Sequence, residues 1–444
     1  MEYLLISFLF AILFAVLDGS YSSFAANVLI IVLGAISIQG VKKKWHQESY
    51  KLFAIVYVIY IAIGFVFSRS FLSGNFYYVL DSVTYLESYL NNYDCKLDLD
   101  RLIMYYTQSE GKDILYHELL HFYSSYGNTF LGGATVYYIT LLQTLFGVLS
   151  SLTLYKILLD KFGKKAFQYT IGFSVCSFFL LYSSFVIRDI VIAYFFLVAL
   201  RILLNDFRIR NVFLLFLLAI ITTGIRLQSG LFYVVFIIIY IYIGLHNTRY
   251  KTFVSIMLIV GTLLFIMTMM SSIYYEETLE VLEKRQEGTA MRVAQNEGFY
   301  SYFLKLPVGI RQIALLFYSQ LCPFPPYNYL FRASSFSQFV IGLTVVINTF
   351  YWVAISYSLI SFLFIKKVVR QLTINEIALL AIAAIYIIAL TAQPDIRRMI
   401  PVYPIIYLLY LKGTTLIPKK TVNNTRSMIY AVYVALLLVY VVIK

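Results

Sequence analysis

Charged side chains are scarce in this sequence of 444 residues, since Asp, Glu, Lys and Arg together make up only 13% of it. A soluble globular domain is about one quarter charged, so this shortage excludes a soluble domain and a disordered chain. Hydrophobic residues make up 61% and occur in repeated runs that are long enough to cross a bilayer. The net charge of +13 does not indicate nucleic-acid binding, because the basic residues lie in connections between apolar runs.

Cysteine is also scarce, with only Cys95, Cys176 and Cys322 in the chain. None of the three lies in a CxxC pair or in a Cys/His spacing typical of zinc. A disulfide between Cys95 and Cys322 is compatible with the topology below, although the sequence does not fix their distance. The phosphate-binding loop, the dinucleotide fingerprint and the nucleophile elbow are missing as well, which disfavours an ATP-driven transporter and a serine hydrolase.

The apolar runs predict a single all-α, polytopic membrane domain over residues 1–444, with about 12–14 transmembrane helices. We place these spans near residues 3–18, 24–40, 52–69, 131–155, 168–187, 190–204, 211–225, 229–245, 252–271, 339–365, 376–392, 399–412 and 427–443. Two long connections separate them, at about 70–130 and about 272–338, and we expect each to carry short amphipathic helices. The first run lacks a basic leader and a cleavage site, so we interpret it as a retained helix.

Basic residues predict the orientation, because lysine and arginine favour short cytoplasmic connections. Alternating spans place the basic connections on one face, which we interpret as cytoplasmic together with the N-terminus; both long connections are then on the outer side. Lysine outnumbers arginine on the inner face, and arginine outnumbers lysine on the outer face. Arginine clamps phosphate or carboxylate groups with two parallel hydrogen bonds. The outer face therefore indicates an anionic ligand.

Arginines occur at the outer ends of several predicted spans. They are Arg188 in SSFVIRDIVIAYF, Arg226 in TTGIRLQSG, and Arg397 with Arg398 in TAQPDIRRMIPVYP. Charged groups at such depth are unfavourable unless they face a polar cavity or a partner. Each arginine could snorkel or pair locally, as Arg188 with Asp189 or Arg397 with Asp395. The alternative is that the spans converge on one outward cavity that binds an anion, for which we expect pyrophosphate.

The two long connections hold the remaining candidates for a substrate site. In the first, Asp81 could accept the proton of an incoming hydroxyl group or cap a helix, and Tyr85 follows it by one helical turn. In the second, Arg292, Arg311 and Arg332 accompany the run CPFPPYNY. Its proline and aromatic residues favour either a rigid surface on which sugars stack or an ordinary turn at the membrane interface.

The string HELLH, from His117 to His121, matches the zinc-peptidase pattern. On a helix the two histidines would share a face, and Glu118 could activate water. A third ligand is not evident in the sequence, so the alternative is an amphipathic helix ending at Gly127, in which His117 contacts a sugar or lies on the surface. We expect the apolar face of that helix to consist of Leu115, Leu119, Leu120, Phe122 and Tyr123.

The overall layout resembles bacterial polysaccharide polymerases of the Wzy type and the related EpsG-like membrane proteins. The shared features are many spans, two enlarged outer loops and arginines at outer helix ends. Locally, YHELLHFYSSYGNTFLGGATVYYITLLQTLFGVLSSLTLYKIL is similar to the helix–Gly–span segment that follows the first loop in EpsG-like chains. SSFVIRDIVIAYFFLVAL is similar to a span–Arg–span turn of that group.

The resemblance implies a glycosyltransferase of the bacterial cytoplasmic (inner) membrane that joins oligosaccharide units carried on undecaprenyl pyrophosphate, on the outer face. Arg188, Arg226 and Asp81 would be catalytic. Substrate binding would use Arg397, Arg398, Arg292, Arg311, His117 and Tyr85. No cofactor or metal is expected, and partners would be the lipid-linked oligosaccharide, the bilayer and a regulator of chain length. The alternatives are a transferase that uses a lipid-phosphate sugar, a glycan ligase, a flippase and, from HELLH, a zinc protease.

Overall fold

The computed structural model describes residues 2–72, 80–93, 114–245, 303, 305–307, 310–390 and 396–443. Over these residues every regular element is a helix, which confirms the predicted all-α fold. In chain order the α-helices are α1 Glu2–Asp18, α2 Tyr21–Gln39, α3 His46–Leu72, α4 Leu80–Tyr89, α5 Ile114–Phe130, α6 Val136–Phe162, α7 Ala166–Cys176, α8 Phe178–Tyr182, α9 Arg188–Leu203, α10 Ile209–Ile225, α11 Leu227–Leu245, α12 Ile310–Ser319, α13 Asn328–Phe331, α14 Phe336–Leu363, α15 Lys366–Arg370, α16 Ile374–Leu390, α17 Ile396–Met399, α18 Tyr403–Leu416 and α19 Lys419–Ile443. Short 3₁₀ turns cover Lys43–Trp45, Gly163–Lys165 and Ile400–Val402.

The helices fit a polytopic membrane protein. Within the described residues, 6 helical stretches are long and apolar enough to cross a bilayer: Tyr21–Gln39, Lys43–Phe71, Val136–Cys176, Phe336–Leu363, Arg397–Leu416 and Lys419–Val442. Shorter apolar helices cover Ile209–Ile225, Phe232–Gly244 and Ile374–Ile387. The predicted spans fall on helices, except that the run 168–187 is broken and that 252–271 lies outside the described residues. The number of crossings and the orientation of the chain stay predictions.

The run predicted as one span over 168–187 is not a single helix. It breaks at Ser177, whose backbone is extended and whose hydroxyl oxygen accepts a hydrogen bond from the Phe179 N–H at 3.2 Å. A serine that bonds nearby backbone groups competes with the helix in this way. After the short α8, residues 183–187 are buried without helical structure and lead directly into Arg188. Irregular backbone at membrane depth is tolerated where protein surrounds it.

Helix α6 is the central helix of the fold. It is buried along most of its length and packs against α2, α3, α7 and α9. On the side predicted to be outer, α4 and α5 pack on each other within the first long connection, and α5 also contacts α6 and α10. Gly127 permits the close approach of α5 to α6, because a Cβ atom there would meet the Tyr138 ring at 2.5 Å.

A buried glutamate joins three helices at the opposite side of the molecule. The Glu376 Oε1 atom lies 3.8 Å from the Lys161 Nζ atom and 3.7 Å from the Lys412 Nζ atom. Its carboxylate also accepts a hydrogen bond from the Thr373 N–H at 2.9 Å, and the Thr373 hydroxyl accepts one from the Glu376 N–H. This reciprocal capping box fixes the start of α16. The two lysines come from α6 and α18, so the carboxylate connects the ends of all three helices.

Candidate anion site

Four separate parts of the chain meet at the end of the bundle predicted to be outer. They are the first turn of α4, the start of α9, the apex between α10 and α11, and the short helix α17. The amide of Val186, just before α9, donates to the Ser82 hydroxyl oxygen of α4 at 3.0 Å. The buried 3₁₀ turn that follows α17 packs against α9. These contacts bring Arg188, Arg226 and Arg397 into one site, as one of the two sequence interpretations predicted.

A buried ion pair forms the inner part of this site. The Arg226 Nη1 atom lies 2.7 Å from the Asp189 Oδ1 atom, and their side chains are 12% and 2% exposed. Arg226 directly follows α10 and sits at the apex of a tight hairpin with α11, where the amides of Ser229 and Gly230 both donate to its carbonyl oxygen. The sequence alternative that pairs Arg188 with Asp189 therefore missed the cross-helix partner of Asp189.

A second ion pair lies nearer the surface. The Arg397 Nη1 atom is 2.6 Å from the Asp81 Oδ2 atom, and the two side chains are 16% and 50% exposed. Asp81 occupies the first turn of α4, where a negative charge is favourable at the helix N-terminus. Asp395, the local partner that the sequence suggested for Arg397, lies outside the described residues.

The arginines interact electrostatically with one another across the site. Arg188 is close to Arg226, Arg397, Asp189 and Tyr85. Arg398 interacts electrostatically with Tyr386, and Tyr386 also interacts with Arg226. The described members of the site therefore comprise four arginines and two carboxylates. The excess of positive charge, together with the amide groups at the start of α9, is an arrangement that binds anions.

An aromatic wall made by Tyr85, Tyr89, Tyr116 and His117 adjoins the arginines. The Tyr85 ring lies 5.1 Å from the Tyr116 ring and 5.3 Å from the His117 ring, measured between centroids. Burial raises the pKa of the Tyr85 hydroxyl, and the Arg188 guanidinium is the main opposing influence. This hydroxyl is therefore protonated at neutral pH and can donate a hydrogen bond.

The HELLH segment lies on the helix α5, as both interpretations of the string predicted. His117 shares a short hydrogen bond with the Tyr89 hydroxyl through its Nδ1 atom. Among the described residues, no group of three His, Cys, Asp or Glu side chains is placed to hold a metal ion. The predicted apolar face is only partly correct, because Leu120 is buried whereas Phe122 is exposed, and the polar Glu118 is buried. The helix also continues beyond Gly127 to Phe130.

The remaining predictions concern Arg292, Cys95, Arg311 and the CPFPPYNY run. Arg292 and Cys95 are outside the described residues, so neither the role of Arg292 nor the disulfide is tested. Arg311 is half-buried in the first turn of α12, and its role in the substrate site stays a prediction. The CPFPPYNY run forms turns that lead into α13, and its Phe324 ring packs 5.5 Å from Tyr440 of α19. That contact favours a packing role for this ring.

Three buried residues near the site were not singled out in the sequence. The Gln143 side-chain amide donates to the Tyr116 hydroxyl at 2.8 Å and so supports the aromatic wall. Tyr386 packs between Phe196 and Phe232 beside Arg226. Ser82 connects α4 to the irregular segment before α9. A glutamine in the middle of an apolar span is a signal that could have indicated Gln143, whereas Tyr386 is one of 41 tyrosines.

Comparison of this chain with protein-family models, with curated proteins and with solved structures finds no match.

Proposed function

We propose that this protein is a membrane glycosyltransferase that polymerises oligosaccharide units carried on undecaprenyl pyrophosphate, at the outer face of a bacterial cytoplasmic membrane. The single observation that supports this function best is the joining of four arginines and two carboxylates in one site beside an aromatic wall. A pyrophosphate-linked sugar has the matching chemistry, because it carries an anion directly next to a ring with both polar and apolar faces.

The arginines would act on the leaving group. As the bond between the sugar and the pyrophosphate breaks, negative charge grows on the departing phosphate oxygen. Guanidinium groups that are already in place stabilise that charge without reorganising solvent. Arg188 and Arg226 would serve this purpose, while Arg397 and Arg398 would bind the same pyrophosphate in the ground state as well.

The aromatic wall and Asp81 would act on the sugars. Tyr85, Tyr89 and His117 are half-buried, and they offer ring faces with polar tips next to the arginines. Aromatic side chains with a polar end suit a ligand that is apolar on one side and wet on the other. Asp81 is half-exposed beside Arg397, so its carboxylate would accept the proton of the attacking hydroxyl group.

The test uses a host strain that lacks this gene and resolves its surface glycan by size. Wild-type protein is expected to restore a ladder of long chains, whereas Arg188→Ala, Arg226→Ala and Arg397→Ala should leave single repeat units. Arg370→Ala is a matched control, because Arg370 is an exposed arginine at the end of α15, on the side predicted to be cytoplasmic. Protein amounts in the membrane are measured for each variant.

The deletion strain itself separates the alternatives. Single repeat units on the surface support a polymerase. A complete loss of displayed units would instead indicate a flippase or an earlier transferase, and long chains that remain on their lipid carrier would indicate a ligase. Unchanged glycan in the deletion strain would refute the proposed function.

A further inference from the structure

We propose that Asp81 competes with the phosphate group of the substrate for Arg397. When the substrate binds, its phosphate group displaces Asp81 from Arg397. The proposal rests on the proposed function, because it assumes that the arginine site takes a phosphate group. It adds an order of events within that site. Arg397 exchanges one anion for another, and the exchange releases Asp81 for its own step.

The contact itself has the properties of an exchangeable pair. The two groups are joined at 2.6 Å, and the Asp81 side chain is 50% exposed. Ion pairs that remain open to water contribute little to stability, so the carboxylate can return to solvent at small cost. A phosphate group offers more negative charge and more acceptor oxygens than a carboxylate, and arginine binds it with two parallel hydrogen bonds.

The other carboxylate of the site shows the contrast. Asp189 is almost fully buried against Arg226, and both side chains are shielded from water. Separating that pair would leave a buried charge without compensation. The two ion pairs therefore differ in kind, because the inner one is part of the fold whereas the outer one can open.

Displacement would place Asp81 in its reactive state. While the Arg397 guanidinium holds the Oδ2 atom, that oxygen is engaged as an acceptor. After a phosphate group takes its place, the oxygen can accept the proton of the attacking hydroxyl group. The hydroxyl oxygen then forms a bond to the anomeric carbon, the bond from that carbon to the pyrophosphate oxygen breaks, and the electron pair leaves with the pyrophosphate.

The test measures binding of inorganic pyrophosphate to the purified full chain in detergent micelles by calorimetry. Asp81→Asn removes the competing charge and is expected to bind pyrophosphate about 3- to 10-fold more tightly than wild type, a range set by the strength of exposed ion pairs. Glu87→Gln is the matched control, because Glu87 is an exposed carboxylate on the same helix. Its affinity should stay within about 2-fold of wild type. Asp81→Ala provides a second variant should the amide disturb α4.

A dependence on Arg397 completes the test. In an Arg397→Ala background, Asp81→Asn should no longer change the affinity, because the group for which Asp81 competes is gone. In the host strain, Asp81→Asn should still slow chain growth, so that tighter anion binding accompanies a lower rate.

The outcomes separate this inference from the proposed function. If Asp81→Asn and Asp81→Ala bind pyrophosphate no more tightly than Glu87→Gln, the inference is overturned. Loss of pyrophosphate binding in Arg188→Ala and Arg226→Ala would still support the proposed function in that case. If the wild-type chain binds no pyrophosphate, both ideas fail together.

Discussion

Arg226 and Asp189 are 37 residues apart in sequence, and their ion pair of 2.7 Å joins the apex of the α10–α11 hairpin to the first turn of α9. The pair is shielded from water and lies beside Arg188, so it has both a structural role and an electrostatic role. It fixes where the hairpin meets α9. It also holds the Arg226 guanidinium close to that of Arg188.

Removal of Arg226 alone should destabilise the protein. Arg226→Ala leaves the Asp189 charge buried beside the start of α9, and breaking a buried pair in this way typically costs about 3–5 kcal/mol. The melting temperature of the purified chain in detergent reports the loss. The double variant Arg226→Met with Asp189→Leu should recover most of the stability, yet it should still fail to form long glycan chains. Recovery of chain growth in the double variant would show that Arg226 is only structural.

Arg188 should matter for the rate more than for stability. In the proposed mechanism, Arg188→Ala removes a positive charge where the leaving group would develop its negative charge, and the loss should raise the barrier by about 2–4 kcal/mol. Chain growth should then slow by about 30- to 1000-fold. Arg188→Lys keeps the charge but not the two-pronged hydrogen bonding, so we expect partial activity. Equal activity of all three forms would remove Arg188 from the site.

Gly230 should be essential for the position of Arg226. A Cβ atom at Gly230 would lie 2.7 Å from the Thr223 Cα atom on the facing helix, and backbone atoms cannot move aside cheaply. Gly230→Ala should therefore spread the α10–α11 hairpin, lower stability by about 1–3 kcal/mol and reduce chain growth. Gly64→Ala is the control, since its new methyl group would meet Thr140 and Thr144 at an ordinary 3.5 Å. A thermal melt and the glycan ladder distinguish the two variants.

The aromatic wall should affect sugars but not the anion. Tyr89→Ala removes the ring that contacts His117, so chain growth should fall while the affinity for inorganic pyrophosphate stays within about 2-fold of wild type. Tyr126→Ala serves as the control, because Tyr126 is exposed on α5 and its ring lies between those of Phe122 and Phe130. It should leave both measurements unchanged. A parallel loss of pyrophosphate binding in Tyr89→Ala would contradict a separate role for the wall.

The predicted orientation can be tested with cysteine labelling in intact cells. Glu87→Cys on α4 should react with a maleimide that cannot cross the membrane, because the first long connection is predicted to be outer. Lys164→Cys, in the basic turn between α6 and α7, should react only after the cells are opened. The reverse pattern would place the arginine site on the cytoplasmic face and exclude polymerisation outside the cell.

Hydropathy was sufficient to predict most of the helices, since α2, α3, α14 and α19 are long apolar runs. It missed the break at Ser177, because a single serine bonded to nearby backbone has no signature in a window average. The convergence of the arginines could be predicted, because charged groups at the outer ends of spans need a polar environment.

The ionic partners were not predictable from adjacency. Consecutive residues on a helix point in different directions. Asp189 therefore pairs with Arg226 in the α10–α11 hairpin and not with its neighbour Arg188. Asp81 and Arg397 are 316 residues apart, and no local pattern connects α4 to α17. Which carboxylate meets which arginine is decided by helix packing, and the packing is a property of the whole bundle.

The wide separation of Asp81 and Arg397 has a consequence for biogenesis. Translation delivers α4 to the membrane long before α17, so Asp81 is in place before Arg397 has been synthesised. Asp189 and Arg226 can meet at an intermediate stage and protect each other from lipid. The site therefore matures in two steps, and a nascent chain carries an inner pair with no outer one until the ribosome has passed α17. Premature termination before that helix would give a chain that has the inner ion pair and lacks the outer one.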